Sequence, residues 1–204
     1  HTIQKERMSE IPNLTGSLTL LRHGQTDWNK QNLMQGSSDI PLNDVGREQA
    51  VETGKELVRR GLSYDVLVSS PLSRALETAQ MVGEQLGLEV SRTYAALVER
   101  HYGYAEGKDI SAEARKEPDA FYKGVESERS LYVRGVEVLR EIVQDFSGQR
   151  IIVVSHGSLI RRVLCAAHGQ EWATAVPNAV PLDIPLAGLF AWTEENEPLL
   201  KGKK

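Results

Sequence analysis

One cysteine, Cys165, occurs in the whole chain of 204 residues, so no disulfide can form within it and nothing points to an oxidising compartment. No apolar run approaches the roughly 20 residues that cross a bilayer, so no membrane-spanning helix and no membrane partner are expected. Residues 1–16 lack the apolar h-region of a signal peptide; opening on His1 rather than Met, they read as a loose polar leader whose first residues are a tag remnant. Cytoplasmic localisation follows as the expectation. Positive charge is not in excess either: the formal net charge is −4, which argues against nucleic acid as the main partner. That balance still leaves a local arginine cluster free to bind a small anion. Repeats, linkers and low-complexity blocks are absent, so one domain is expected over residues 17–200, with a basic tail at 201–204 that reads as disordered. Monomer and homodimer both stay open.

What is present is the composition of a globular chain, 40% hydrophobic and 25% charged. Three segments share one order: a short apolar run, a polar turn, then a helix-like stretch. Leu18-Thr19-Leu20-Leu21 runs into Arg22-His23-Gly24; Asp65-Val66-Leu67-Val68 into Ser69-Ser70-Pro71 and a helix over Leu72–Leu86; Ile151-Ile152-Val153-Val154 into Ser155-His156-Gly157 and a helix over Ser158–His168. Short apolar runs without alternation suit strands buried on both faces of a mostly parallel sheet. Asn43-Asp44 opens a further helix, with Ala50, Gly54, Leu57 and Val58 on its apolar side, and Ser127 caps another carrying Tyr132, Val136, Leu139, Val143 and Phe146 at helical spacing. Gly188–Thr193 is expected to be an edge strand, and Arg92–Val125 irregular or helical cover over one end of the sheet. The fold class is α/β.

In open α/β sheets ligands gather beyond the carboxyl ends of the strands. The pattern places Arg22, His23 and His156 at such ends, and Arg74 in the first turn of the helix after Pro71. A lone histidine is more often structural than catalytic, but paired His and Arg at matching strand ends resist that explanation. Guanidinium groups match phosphate oxygens with planar forked donors. A neutral imidazole is nucleophilic once its other nitrogen is held as a donor. Phosphoryl transfer needs the equatorial oxygens neutralised and attacking and leaving atoms in line. Arg22, Arg74 and a protonated His156 would supply that charge without a metal. A general acid is still required, a carboxyl or another imidazole. Other phosphate chemistries lack their signatures: there is no Walker-type loop, no Cys-x5-Arg string, no two-metal ligand spacing and no serine-hydrolase elbow.

Leu21-Arg22-His23-Gly24-Gln25-Thr26-Asp27-Trp28-Asn29 resembles the signature of the histidine phosphatase superfamily, which includes phosphoglycerate mutases. The resemblance continues in order through Gln35-Gly36, Pro41-Leu42-Asn43, Ser70-Pro71-Leu72-Ser73-Arg74-Ala75, Glu99-Arg100-His101-Tyr102-Gly103, Glu126-Ser127, Arg134 and Val154-Ser155-His156-Gly157, spanning residues 18–165. It implies a three-layer α/β/α fold with a mostly parallel central sheet flanked by helices, as in phosphoglycerate mutases. It implies that His23 takes the phosphoryl group as a phosphohistidine, inside a phosphate pocket of Arg22, Arg74 and His156. Glu99 matches the family's proton donor, and Asn29, Gln35, Gly36, Tyr102, Gly157 and Ser158 would line the substrate side. No metal and no cofactor are implied; the partner is a small-molecule phosphate ester.

Glu106 is a nearby competitor for the acid. His101 reads as a surface or supporting residue, His168 as a helix-end residue and Cys165 as buried filler. Ser158 departs from the Gly or Asn that many relatives carry there. The family's mutases have a longer insert with paired arginines for the substrate's second charged group. Here Ala112–Ser127 is short and has no adjacent arginines, leaving Lys108 as the nearest cation. A shorter cover opens the pocket to water, so a phosphatase is the expected activity, with a cofactor-dependent mutase as the alternative. A binding protein without turnover is disfavoured by retention of both arginines, both histidines and Glu99.

Overall fold

The computed structural model describes residues 14–172 and 174–195. Strands β1 (Ser17–Arg22), β2 (Val66–Ser69), β3 (Val90–Thr93), β4 (Arg150–Ser155) and β5 (Pro181–Ile184) form one sheet in the order β3-β2-β4-β1-β5. The first four are parallel, and β5 pairs antiparallel with β1. The apolar runs of β1, β2 and β4 are buried on both faces because helices cover both.

Helices α1 (Asp27–Lys30), α2 (Asp44–Arg59), α3 (Ser73–Leu86), α4 (Ala112–Lys116), α5 (Pro118–Phe121), α6 (Glu128–Asp145), α7 (Gly157–His168) and α8 (Leu186–Ala191) complete the described chain. Leu21, Leu67, Ile152 and Val154 pack against Ala50 and Leu57 of α2 and Ala75, Ala79 and Val82 of α3. On the opposite face Leu18, Leu20, Val66, Val68, Ile151 and Val153 meet the apolar sides of α6, α7 and α8. The result is three layers, α/β/α. A satellite cluster of Met34, Tyr102, Ala105, Ile110 and Ala114 forms under the cover at one end of the sheet. Residues 94–125 supply that cover as two 3₁₀ turns plus α4 and α5, in keeping with the irregular or helical segment expected there, except that its first two residues, Arg92 and Thr93, belong to β3.

Two expectations need correction, and one strand is new. Gly188–Thr193 is not an edge strand: α8 runs over Leu186–Ala191, and the antiparallel edge is β5. Leu186 and Leu189, three residues apart, are the buried pair of that segment, so helical spacing prevails over its brief apolar run. Val58 does not join the apolar side of α2 but is 51% exposed, because the buried stripe follows Gly46, Ala50, Gly54 and Leu57 and the next residue turns about 100° away. Finally, β3 was not anticipated; its exposed edge residues carry no apolar signal. Ser127 caps α6 as expected, its Oγ accepting from Ser130 N–H at 3.1 Å. The basic tail 201–204, and residues 1–13 of the leader, lie outside the described residues. Among the described residues no helix is long and apolar enough to cross a membrane.

Candidate active site

Strand register brings the two histidines together. Arg22 pairs with Ser155 across the parallel β1–β4 ladder, so His23 and His156 emerge side by side, with the His23 N–H bound to the Ser155 carbonyl at 3.1 Å. Their ring centroids are 5.2 Å apart. His23 is only 1% exposed, and His156 and Arg74 are fully buried.

The hydrogen bonds fix the chemistry of His23. Its Nδ1 lies 2.7 Å from the carbonyl oxygen of Gly24. A carbonyl can only accept, so Nδ1 carries the proton and Nε2 keeps its lone pair. That lone pair receives Arg74 Nε–H at 3.3 Å. Arg74 is held in place by Nη1 on the Ser38 carbonyl, 2.6 Å, and Nη2 on the Gly36 carbonyl, 2.7 Å. Arg22 is anchored through Nη1 to the Val176 carbonyl at 2.7 Å, while its buried Nε has no protein partner. Burial, followed by Arg22 and Arg74, pushes the His23 imidazole well below its ordinary titration range, with the Gly24 carbonyl opposing. Burial, then His23, Arg74, Arg22 and Arg134, do the same to His156. The expectation of a protonated His156 is therefore corrected: removal from water and surrounding positive charge favour its neutral form.

Next to this cluster opens a polar cavity of about 480 Å³. Arg22, Asn29, Gln35 and Gly36 line it from the β1 side, and Gly157, Ser158, Glu99 and Tyr102 from the α7 side. The imidazoles and Arg74 do not line it; Arg74 lies directly behind Gly36, whose carbonyl it holds. Glu99 supplies what α7 lacks. His156 is the N-cap of that helix and offers no side-chain cap. Glu99 accepts instead from Ser158 N–H at 3.1 Å and Leu159 N–H at 3.2 Å, and from Arg100 N–H at 2.8 Å. Asn29 is set by the capping box of α1, where its Oδ1 accepts Thr26 N–H and Thr26 Oγ accepts its own N–H. Thr26 Oγ in turn donates to Gln35 Oε1 at 2.6 Å. Ser158 Oγ and Tyr102 Oη are 2.6 Å apart, so the hydroxyl at this departure from the family pattern ties the pocket's aromatic wall to α7.

This geometry is matched by sequence similarity. The family model of the histidine phosphatase superfamily (branch 1) matches residues 18–181. The chain belongs to that superfamily. Its five-stranded, mostly parallel sheet flanked by helices is the phosphoglycerate mutase-like fold. It is 37% identical over 174 residues to an uncharacterized phosphatase, PhoE, of Bacillus subtilis (strain 168), covering 84% of this chain and 89% of that one. It is 36% identical over 173 residues to a 2,3-bisphosphoglycerate-dependent phosphoglycerate mutase of Parvibaculum lavamentivorans, covering 76% and 79% of the two chains. A solved mycobacterial glucosyl-3-phosphoglycerate phosphatase, in complex with VO3, superposes with a TM-score of 0.70 at 31% identity, covering 82% of this chain and 92% of that one.

Within this histidine phosphatase domain the remaining sequence candidates separate. Glu106 does not line the cavity; it accepts from Ser38 N–H and Oγ–H at 2.9 and 2.6 Å and holds the loop behind it. Gly36, at φ +54°, permits this, since a Cβ there would come within 2.6 Å of the Glu106 carboxyl carbon. His101 is exposed and meets Glu126 through its backbone, its N–H donating to Glu126 Oε1 at 3.3 Å and its carbonyl accepting Glu126 N–H at 2.7 Å, as befits a supporting residue. His168 ends α7, and Cys165 is buried. Lys108 does not line the cavity: its ammonium lies over the Tyr122 ring, 5.2 Å from the centroid, whereas Arg115 and Arg161 do. Sequence reasoning missed both, and also Asn178, which donates to the His23 carbonyl at 2.8 Å. Arg161 was detectable, because it lies three residues after Ser158 on α7 and so shares its face. Asn178 lies in a stretch without periodicity and left no signal.

Proposed function

We propose that the protein is a metal-independent phosphomonoester hydrolase that passes the phosphoryl group of a small metabolite through His23. One observation carries the reading: the Nδ1–H bond to Gly24 leaves Nε2 of a buried, neutral imidazole as a lone pair next to Arg74. Nε2 attacks phosphorus as the bond to the leaving oxygen breaks, and Arg22 and Arg74 neutralise the equatorial oxygens. Glu99 gives its proton to the departing alkoxide. It then takes one from the water that attacks the phosphohistidine, releasing inorganic phosphate and restoring the Nε2 lone pair. Asn29, Gln35, Gly36, Tyr102, Gly157 and Ser158 contact the substrate, which in this reading is a small phosphate ester.

A generic aryl phosphate, hydrolysed in the presence of EDTA, tests this. His23→Ala should abolish turnover, and activity lost on chelation would overturn the mechanism. A second reading, the cofactor-dependent mutase, is favoured by Arg115 and Arg161 on the cavity wall, which could hold a second anionic group of the substrate. The short segment between α4 and α6 and the 37% identity to a protein named as a phosphatase support hydrolysis instead. Rapid conversion of 3-phosphoglycerate to 2-phosphoglycerate with trace 2,3-bisphosphoglycerate, and little free phosphate, would establish the mutase.

A further inference from the structure

Ser70 follows the last residue of β2 and is fully buried. Its N–H donates to the Val154 carbonyl at 2.9 Å, and its carbonyl accepts from Ser69 Oγ at 2.9 Å, so the backbone is pinned to β4. Its Oγ lies 2.8 Å from Nε2 of His156 and also receives Leu72 N–H at 3.3 Å. On the other side of the ring, His156 Nδ1 is buried and has no protein partner.

The proton between Oγ and Nε2 can belong to either atom, and the two arrangements differ in cost. With the proton on Nε2, the Ser70 hydroxyl hydrogen would be buried without an acceptor, and a lone pair on Nδ1 would repel any anion beside it. With the hydroxyl donating to Nε2, Oγ still accepts from Leu72, every group at Ser70 is satisfied, and Nδ1 carries the proton.

We infer that Ser70 Oγ–H donates to Nε2 of His156 and holds the ring as its neutral Nδ1–H tautomer, whose Nδ1–H donates to an oxygen of the bound phosphoryl group. Ser70 is thus a positioning residue that acts through His156. The inference rests on the reading of this cluster as a phosphate pocket, and a second observation supports it. Arg22 Nε, close by, is likewise a buried donor without a protein acceptor. Besides the His23 ring, the charged groups felt by His156 are the guanidinium groups of Arg74, Arg22 and Arg134, none of which can accept a hydrogen bond. The His23 Nε2 lone pair faces Arg74 Nε–H rather than the His156 ring. A phosphoryl oxygen would satisfy both donors. Neutrality of the ring then fits its surroundings: it donates to the anion without an imidazolium having to form among three guanidinium groups.

Nitrogen-15 NMR of the full chain labelled at histidine tests this, the His156 signals being identified by their loss in His156→Gln. The wild-type protein should show Nδ1 protonated and Nε2 bare. Ser70→Ala should move the proton toward Nε2 and weaken inorganic phosphate binding about tenfold, the equivalent of one charge-assisted hydrogen bond to the anion, while Ser70→Thr restores both. A wild-type His156 protonated on Nε2 overturns the inference, as does phosphate affinity unchanged in Ser70→Ala. Turnover enters neither measurement, so a protein that fails to hydrolyse aryl phosphate would sink the hydrolase reading and leave this tautomer standing.

Discussion

Arg22 owes its position to a missing side chain. A Cβ on Gly157 would stand 3.0 Å from Arg22 Nε and 3.2 Å from Cζ, so the guanidinium lies across the start of α7 in space that a methyl group there would crowd. Gly157→Ala should therefore push Arg22 out of line while leaving the helix intact, since alanine is the better helix former. Phosphate affinity is expected to fall about tenfold, the equivalent of one displaced charge-assisted hydrogen bond, with the melting temperature unchanged or slightly raised. Titration calorimetry and a thermal melt on the same variant check both; a lower melting temperature with normal phosphate binding would contradict it. At this scale the sequence was informative wherever chemistry is carried by residue type: Arg22, His23, Arg74 and His156 were named from the strand-end pattern and do gather. It was silent on Asn178 and on the loop-holding role of Glu106, which depend on what lies opposite in space.

Among the elements, α8 shows how packing overrides a local apolar run. Gly188 faces the backbone of α7 so closely that a Cβ would fall 1.8 Å from the Ala167 carbonyl oxygen. Backbone cannot yield as a flexible side chain can, so Gly188→Ala should cost about 3 kcal/mol, the upper end for overpacking. Urea unfolding measures it, and a loss below about 1 kcal/mol would show that the two helices can part. The helices α2, α3, α6 and α7 were legible because caps and 3.6-residue periodicity are local properties. The identity of the edge strand was not, because Pro181–Ile184 becomes a strand only by pairing with β1. Strand β3 escaped for the same reason: its residues are mostly exposed and gain their extended form from β2.

For the molecule as a whole, burying two neutral imidazoles ties stability to pH. His23 and His156 titrate well below their ordinary range in the fold and return to about 6.5 when the chain unfolds. Below that value the unfolded chain binds more protons than the native one, so stability rises with pH and is lost as pH falls. The melting temperature should be flat between pH 8 and 7 and decline from about pH 6.5 to 5. Carboxylates held low, such as Asp65 at about 2, and Asp39 and Glu126 by direction, lose their contribution only at more acid pH, so they do not obscure this window. Calorimetry across the range provides the measurement, and a flat profile down to pH 5 would contradict the buried, neutral histidines.

Taken alone, the amino-acid order determined the α/β class, the parallel strands, the main helices and the side chains suited to phosphate chemistry. Those properties follow from hydrophobic periodicity, capping residues and functional-group chemistry, all of which act over a few neighbouring positions. The tertiary structure decided the rest. The β1–β4 register set two rings 5.2 Å apart, Glu99 became the cap of a helix sixty positions away, and Arg115 and Arg161 came to line the cavity in place of Lys108. The surroundings likewise push the His156 imidazole well below its ordinary range, because protonation answers to burial and to charges contributed by distant segments.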